Sequence, residues 1–469
     1  MLPEHTLNAF IENRTYDEIQ IGESAVLLRT LTPQDIQLYA IVSGDVNPAH
    51  VDPEYASSSM FREVIAHGMW GGSLISTVLG TQFPGPGAVY VDQTLHFSRP
   101  VTIGDTVTVT ITCQKKFDHN HHIIFDCMCT NQYGLEVIRG TAEVKAPTEK
   151  IKRPRVAMPE ITIRDRQARY NQLLGITHGL EAIPMAVVHP CDIESLKGAL
   201  MARDAGLILP TLVGPEPRIR ALAEQMGLSL HDCRIVDTPH SHASAEVAVQ
   251  LARNGEVEAL MKGSLHTDEM MAAIIDKDTG LRTARRISHA FVMDVPTYPR
   301  PLMITDAAVN VEPTLDDKAD IVQNAIDLAH TLGTYEPKVA ILAAVETVNP
   351  KMRATLDAAA LCKMAERGQI TGGILDGPLA FDNAVSLVAA KTKGILSAVA
   401  GQADILVVPD IESGNMLAKQ LEYLADAMPA GVVLGARVPI VLTSRADTAE
   451  TRSISCAIAV VMAHAKRKG

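Results

Sequence analysis

A segment of small and apolar residues from His67 to Gly80 is followed by four stretches in which polar and apolar residues alternate. The segment lacks the polar stripe of a surface helix, which predicts a helix buried on most sides. The alternating stretches lie between Gly87 and Ala146 and are rich in β-branched residues, which predicts a meander of antiparallel strands. Together they predict an α+β domain in which an antiparallel sheet wraps round a central helix.

A polar turn precedes this helix and carries a possible acid–base pair. Thr32 and Pro33 predict the start of a helix, and the sequence Ser-Gly-Asp-x-Asn-Pro from residue 43 ends it. Asp45 and His50 can share one water on that turn, one group taking a proton while the other gives one. The alternative is a capped turn, in which Asp45 and Asn47 cap and His50 is a surface histidine.

Length, charge and cysteine content limit the classes of protein that this chain can belong to. At roughly 100–200 residues per domain, 469 residues indicate two to four domains. The formal net charge of −12 argues against nucleic acid or an anionic membrane as a partner. Seven cysteines without a CxxC pair favour reduced thiols and a cytoplasmic location. The first residues show no signal-peptide pattern, and the apolar runs are too short to span a membrane.

The composition changes abruptly after the strand region. We expect a first domain over residues 1–147, a basic, proline-containing linker over 148–158, and a second domain over 159–469. From residue 171 onward, short apolar runs alternate with amphipathic stretches, which predicts a two-lobed α/β domain with parallel-type sheets. In such folds the loops at the carboxyl ends of the strands carry the site.

Cationic and polar residues follow many of these apolar runs. Arginines, a lysine and glycine-opened helix starts suit a ligand that bears phosphate. A Walker loop and a GxGxxG after a strand are both missing, which disfavours nucleotide hydrolysis and dinucleotide binding. Each position also has a structural alternative as a turn or cap. The candidate substrate-binding residues of this domain are Lys262, Arg282, Ser288, Asp306, Asn310, Asp376, Gly414 and Asn415.

Three blocks of the first domain carry a family resemblance. SGDVNPAHVDPEYA, AHGM and HFSRPVTIGDTVTV resemble the MaoC-like (R)-specific enoyl-CoA hydratases, which have the hot-dog fold. The resemblance implies that Asp45 and His50 direct a water onto trans-2-enoyl-CoA, giving (R)-3-hydroxyacyl-CoA. It also implies that backbone N–H groups near Gly68 polarise the thioester carbonyl, and we add Asn47 to the substrate-binding candidates. Some relatives with this fold are thioesterases or dehydratases.

The second domain resembles the phosphate acetyltransferase and phosphate butyryltransferase family. The resemblance rests on MKGSLHT, GLRTARRISH, ITDAAVN, LDGPLAFDNA, VVPDIESGNMLAK and VLTSRAD, and GLRTxxxISH and SRAD look closer to the butyryl type. It implies reversible transfer of an acyl group between CoA and inorganic phosphate. Ser444 and Arg445 match the family's Ser-Arg pair, which implies hydrogen bonding at the reacting centre and binding of phosphate.

Two departures from the acetyltransferase pattern leave the base for the CoA thiol open. Thr451 stands near the place of the family's aspartate, and Asp447 and Glu450 are the nearby carboxylates. The arginine that acetyltransferases carry after the His-Thr segment is also missing, since Met270 and Met271 lie there. A carboxylate would suit the task because a thiol with a pKa of ~8.5 is little ionised at neutral pH.

The two resemblances together predict a bifunctional enoyl-CoA hydratase and phosphate acyltransferase. Its substrates would be CoA thioesters and inorganic phosphate, with no bound cofactor and no metal, and we expect a homo-oligomer. The alternative is a phosphate acyltransferase whose hot-dog domain acts as a thioesterase, or as a module for acyl-CoA binding and dimerisation.

Overall fold

The protein is represented by a computed structural model that describes residues 9–159, 161, 163, 166–444 and 446–468. The chain divides into two compact units, Met1–Ile163 and Arg164–Gly469, which are described separately. The segment expected to be a linker contains a short strand, Lys152–Pro154, which pairs antiparallel with Phe10–Glu12 in the first unit.

The first unit contains one long central helix and a set of long strands. Its elements are β1 Phe10–Glu12, β2 Ser24–Thr30, α1 Pro33–Ser43, α2 Pro48–Val51, α3 Pro53–Ser58, α4 Gly68–Thr81, β3 Val89–Phe97, β4 Thr106–Phe117, β5 His122–Thr130, β6 Glu136–Lys145 and β7 Lys152–Pro154, with a one-turn 3-10 helix at Tyr16–Glu18. As predicted, Thr32 caps α1 and Pro33 begins it.

Helix α4 is the central helix that the sequence predicts, but the prediction of burial on most sides is wrong, because Ser73, Ser76, Thr77 and Gly80 form an exposed stripe. Trp70, Leu74, Ile75 and Val78 are buried on it, and they belong to the same core as the inward side chains of the sheet. Strands β4 and β5 alternate between buried and partly buried positions along their length. The alternation predicted from the sequence is therefore confirmed, and this unit has the hot-dog arrangement of an antiparallel sheet around a helix.

The strand order differs from a simple meander. The five-stranded antiparallel sheet has the order β2-β4-β5-β6-β3, so only β4, β5 and β6 follow one another as neighbours. Strand β3 pairs with β6 at one edge, because the segment 98–105 crosses to β4 instead of turning tightly back on β3. Strands β4 and β5 present alternate residues to the core, as the sequence predicts, whereas β3 at the edge has no buried residue.

The second unit alternates strands and helices along most of its length. Its elements are α5 Arg166–Leu174, β8 Ile183–Val188, α6 Ile193–Asp204, β9 Ile208–Gly214, α7 Glu216–Gln225, β10 Arg234–Asp237, α8 Ser241–Arg253, β11 Ala259–Lys262, α9 Thr267–Ile275, β12 Ser288–Asp294, β13 Leu302–Thr305, α10 Leu315–Thr331, β14 Lys338–Leu342, α11 Arg353–Glu366, β15 Ile374–Leu379, α12 Phe381–Val385, α13 Leu387–Thr392, β16 Ile405–Val407, α14 Ile411–Leu424, β17 Met428–Leu434, β18 Ile440–Val441 and α15 Ala449–Lys468, with a 3-10 turn at Gly175–Thr177.

These strands form one 11-stranded mixed sheet in the order β10-β9-β8-β11-β18-β17-β12-β13-β16-β14-β15. The first five strands in this order are mutually parallel, and so are the last four. Antiparallel pairings of β17 and β12 join the two blocks. The prediction of an α/β domain with mostly parallel strands is confirmed, and the two blocks correspond to its two halves.

Two smaller predictions can be compared with the structure. Cys127 and Cys129 lie on the same, buried face of β5, and burial raises the pKa of each thiol to about 12. Among the described residues, no helix is long and apolar enough to cross a membrane.

Candidate functional sites

The first candidate site begins where α1 ends. Gly44 adopts a φ of 75° after Ser43, a conformation that suits glycine, and the chain then turns into the Asp45 loop. The Asp45 carboxylate accepts the N–H of Asn47 at 3.2 Å. Asn47 in turn caps α2 by accepting the N–H of Ala49 at 3.1 Å. The capping role considered for Asn47 is therefore confirmed, and Asp45 and His50 lie on the same hydrogen-bonded turn.

His50 has a defined orientation on α2. Its Nδ1 lies 2.9 Å from the backbone oxygen of Ile65. A carbonyl oxygen can only accept, so Nδ1 carries a proton and, in the neutral ring, Nε2 presents a lone pair. That is the form in which an imidazole can take a proton from water.

His67 is a third polar member of this site that sequence reasoning missed. It is 2% exposed, and its Nε2 donates to the backbone oxygen of Asp45 at 2.9 Å. Its ring lies 4.0 Å from the ring of His50, measured between centroids. The AHGM block signals a helix start, but only the packing of α4 against the loop brings His67 beside the Asp45–His50 pair.

The three residues form a compact set of possible ligands. One atom each of Asp45, His50 and His67 lie within 4.8 Å of one another, close enough to hold a metal ion. The same spacing suits a single water hydrogen-bonded by the set. His67 Nδ1 is buried and has no hydrogen-bond partner among the described residues, so it offers an acceptor on this side of the cluster.

A cavity of about 430 Å³ adjoins this cluster. His50, His67 and Gly68 line it, and most of the remaining wall is apolar, including Phe97 and Ile138. Gly68 is the first residue of α4, and N–H groups in the first turn of a helix lack intrahelical acceptors. The cavity thus offers hydrogen-bond donors for an oxyanion beside the acid–base cluster, within apolar walls.

The second candidate site is a cleft of about 880 Å³ in the second unit. Lys262 at the end of β11 and Ser444 after β18 line it from one parallel block of the sheet. Ala308, which follows β13, and Asn415 on α14, which follows β16, line it from the other block. The cleft therefore lies at the carboxyl ends of strands from both blocks, as expected for an α/β sheet.

The charged groups of this cleft come mainly from Lys262 and Lys419, with Glu412 on the first turn of α14. Lys262 is 2% exposed, so its ammonium group is held within the wall. The N–H of Ser444 donates to Asp447 Oδ2 at 2.6 Å, which orients the turn after β18. Arg445, the predicted partner of Ser444, lies outside the described residues.

A second cleft of about 480 Å³ is rich in arginine. Arg282, Arg285 and Arg286 line it together with Asn310, and it shares Thr267, Ala308 and Ile411 with the Lys262 cleft. Arg286 Nε donates to Asn310 Oδ1 at 2.8 Å. The predicted residues Lys262, Ser444 and Asn415 thus meet in one cleft, and Arg282 and Asn310 meet in the adjoining one.

Two other predicted residues, Asp306 and Ser288, line neither cleft and have structural roles instead. Asp306 is buried, and its carboxylate accepts the N–H groups of Ala308 at 2.9 Å and Val309 at 3.0 Å. Ser288 is fully buried, and its hydroxyl accepts from Asn324 at 3.0 Å. Sequence alone cannot distinguish such buried acceptors at strand ends from residues that face a ligand.

The same holds for Asp376 and Gly414. Asp376 lies on β15 at the edge of the sheet, and its Oδ1 accepts the N–H of Gly377 at 2.8 Å. Gly414 is buried in α14, where a Cβ atom would lie 2.8 Å from the backbone oxygen of Asp306. Glycine is therefore required there for close packing of α14 against the loop after β13.

The two carboxylates considered as bases do not face the Lys262 cleft. Asp447 is 1% exposed, and its oxygens contact the Ser444 N–H and Lys419 Nζ. A hydrogen bond from its own backbone N–H lowers the pKa of Glu450, which lies on the first turn of α15. Neither residue belongs to the lining of the cleft in the described part of the chain.

Comparison with known proteins separates the two units in the same way. Residues 19–126 match the family model of the MaoC like domain, and residues 242–460 match that of the phosphate acetyl/butaryl transferases. A phosphate acetyltransferase of Rhizobium meliloti is 59% identical over 300 residues, which cover 64% of this chain and 95% of the relative. A phosphate butyryltransferase of Clostridium acetobutylicum is 40% identical over 294 residues, covering 63% of this chain and 98% of the relative.

A solved structure gives a similar picture for the second unit. The branched-chain phosphotransacylase from Enterococcus faecalis V583 is 28% identical, with a TM-score of 0.53, over 60% of this chain and 99% of that protein. The chain therefore belongs to the phosphate acetyl/butyryltransferase family and carries a MaoC-like domain ahead of the part that matches this family.

Proposed function

We propose that the chain is a bifunctional acyl-CoA enzyme. The first unit hydrates trans-2-enoyl-CoA to (R)-3-hydroxyacyl-CoA, and the second transfers an acyl group reversibly between CoA and inorganic phosphate. The observation that carries the proposal is that each unit has polar groups suited to one reaction: the Asp45–His50–His67 cluster beside the apolar cavity of the first unit, and Lys262 with Ser444 in the cleft of the second.

In the hydration, the water oxygen bonds to C3 of the enoyl chain and a proton is added at C2. Asp45 and His50 hold the water between them, and one of them takes its proton while the other delivers the proton to C2. The thioester oxygen gains negative charge in this step. The N–H group of Gly68 at the start of α4 stabilises that charge, and the apolar walls of the cavity strengthen the interaction.

In the acyl transfer, a phosphate oxygen attacks the thioester carbonyl, and the thiolate of CoA leaves from the tetrahedral intermediate. The Lys262 ammonium group draws phosphate into the cleft by charge. Ser444 supplies a hydroxyl at the reacting centre, and we retain Arg445 as a phosphate-binding residue by family resemblance. The products are acyl phosphate and CoA.

The arginine-lined cleft suits the phosphate groups of CoA. Arg282, Arg285 and Arg286 converge on it, and it adjoins the Lys262 cleft through shared residues. A ligand with several phosphates could thus be held in one cleft while its thioester end lies in the other. The acyl group is of the acetyl to butyryl class. Named acetyl and butyryl relatives are 59% and 40% identical, so acetyl-CoA is the first substrate to test.

Hydration is tested with crotonyl-CoA and the full chain. We expect the wild type to consume the enoyl thioester and Asp45→Asn to lose activity by about 10²–10⁴-fold, as for removal of a general acid–base group. Asp92→Asn is a matched control, because Asp92 is an exposed carboxylate on β3 of the same unit. Tight acyl-CoA binding without hydration in the wild type would instead support a binding module, and release of CoA without phosphate would support a thioesterase.

Acyl transfer is tested by phosphate-dependent release of CoA from acetyl-CoA and butyryl-CoA. We expect the wild type to catalyse release only with phosphate present, and Ser444→Ala to reduce kcat by about 10²-fold through loss of a hydrogen bond at the reacting centre. Ser397→Ala is the control, since Ser397 lies in the segment before β16, outside both cleft linings. Unchanged activity in Ser444→Ala would remove Ser444 from the site.

A further inference from the structure

The turn that carries Ser444 is held by two buried charged residues that follow it in the chain. Asp447 is 1% exposed, and Arg452, on α15, is fully buried. Charged side chains are rarely buried this completely unless they are paired or bonded. The contacts of Asp447 and Arg452 therefore indicate the structural role of each charge.

Asp447 joins the turn to α14. Its Oδ2 accepts the N–H of Ser444 at 2.6 Å, and its Oδ1 accepts from Lys419 Nζ at 3.3 Å. Lys419 lines the Lys262 cleft from α14 and also pairs with Glu422 at 2.8 Å. Through this one carboxylate, the position of Ser444 is tied to the helix on the opposite side of the cleft.

Arg452 joins the turn to the end of β11. One of its terminal nitrogens donates to the backbone oxygen of Lys262 at 3.1 Å and to Thr443 Oγ1 at 2.8 Å. The other donates to the backbone oxygen of Ser444 at 2.9 Å. The planar guanidinium thus sets the spacing between the two residues that carry the polar groups of the cleft.

Neighbouring residues pack closely around the Arg452 side chain. A Cβ atom on Gly198 of α6 would lie 2.8 Å from Cβ of Arg452 and 3.0 Å from its Cδ. Burial lowers the pKa of Arg452, and the charges of Asp192, Asp447 and Glu194 oppose that shift. The two terminal nitrogens donate to the protein, and Arg452 Nε is buried without a hydrogen-bond partner among the described residues.

We propose that Arg452 and Asp447 are positioning residues for the acyl transfer, and that Asp447 is not the base for the CoA thiol. The inference rests on the acyltransferase function proposed above. Arg452 fixes the distance between Lys262 and Ser444, and Asp447 fixes the orientation of Ser444 relative to α14. Because misplacement of a reacting group by about 1 Å can cost 10²-fold in rate, both residues control kcat without contacting substrate.

The experiment measures phosphate-dependent CoA release by the full chain for the wild type, Asp447→Asn, Arg452→Lys and Arg452→Gln. Asp447→Asn retains an acceptor for the Ser444 N–H but loses the charge that pairs with Lys419. We expect kcat to fall about tenfold in Asp447→Asn and about 10²-fold in Arg452→Gln, with KM for acyl-CoA changed by less than about threefold. Arg452→Lys, which lacks the fork, is expected to restore only part of the loss.

The pH profile distinguishes positioning from base catalysis. If Asp447 only positions Ser444, the acid limb of the kcat profile is retained in Asp447→Asn, and its loss would identify Asp447 as the base. Asp357→Asn is the matched control, because Asp357 forms a buried pair with Lys318 at 2.7 Å in the same unit and lines neither cleft. It is expected to lower the melting temperature without changing kcat.

The outcomes separate the inference from the function on which it rests. No phosphate-dependent release by the wild type would contradict the proposed acyltransferase function. Release by the wild type, together with unchanged kcat in folded Asp447→Asn and Arg452→Lys, would contradict the positioning roles. If Arg452→Gln does not fold, Asp447→Asn and Arg452→Lys still decide between these results, since both retain a polar partner for the turn.

Discussion

Replacing His67 by phenylalanine should raise the activation free energy of hydration by more than it lowers the free energy of unfolding. Phenylalanine keeps a ring beside His50, where the two rings are now 4.0 Å apart, but it removes the donor to the Asp45 backbone oxygen. Asp45 is an exposed residue, so water can replace the lost donor, and loss of the bond costs about 0.5–1.5 kcal/mol of folding free energy. Release of the Asp45 loop is expected to reduce kcat for hydration by about 10–100-fold.

The assay compares crotonyl-CoA hydration and thermal unfolding in His67→Phe and His96→Phe. His96 is an exposed histidine on β3 of the same unit, so its replacement should change the folding free energy by less than about 0.5 kcal/mol and leave hydration unchanged. A His67→Phe protein that melts at a lower temperature but hydrates at the wild-type rate would refute the view that His67 orders the Asp45 loop.

Three further predictions concern single side chains. Gly140→Ala should destabilise the first unit by about 1–3 kcal/mol or more in thermal unfolding, because the added Cβ would lie 1.9 Å from the backbone oxygen of Thr94; an unchanged melting temperature would contradict this packing. Burial raises the pKa of Asp105, but its hydrogen bonds, of which that from Gln132 is the strongest, lower the pKa by more. The net pKa therefore lies below its usual value. Asp105 therefore contributes to the free energy of unfolding at a pH above its unfolded pKa of ~3.9, and this contribution is lost as the pH falls through the lower folded pKa. In Asp105→Asn, the free energy of unfolding should depend less on pH in that range. Arg286→Ala should raise KM for acyl-CoA more than it lowers kcat, and a pure kcat effect would place Arg286 away from the CoA phosphates.

The local features of the fold can be read directly from the sequence. The capped start of α1, the apolar face of helix α4 and the alternation along β4 and β5 depend on neighbouring residues, and all are present in the structure. The antiparallel centre of the large sheet was not predicted. The sequence nevertheless contained a signal for it, because two links are too short for a crossover helix. These are residues 295–301 between β12 and β13 and residues 435–439 between β17 and β18.

In the candidate sites too, contacts between residues close in the chain could be predicted, and contacts that depend on the tertiary fold could not. Asp45 and His50 are close in the chain, so their pairing is a local property, whereas His67 joins them only through the packing of α4. Asp306 and Ser288 have the residue types of a binding site, but their polar atoms bond to the protein itself. The Asp306 bonds run to N–H groups two and three residues further along, which is a local turn, whereas the Ser288 bond depends on Asn324, which only the fold brings near.

The most direct test of two independent sites is a pair of activities measured on two variants of the full chain. Asp45→Asn should lose hydration of crotonyl-CoA while retaining phosphate-dependent release of CoA from acetyl-CoA, and Ser444→Ala should show the reverse. Loss of both activities in either folded variant, or hydration that persists in Asp45→Asn, would contradict the assignment of one reaction to each unit.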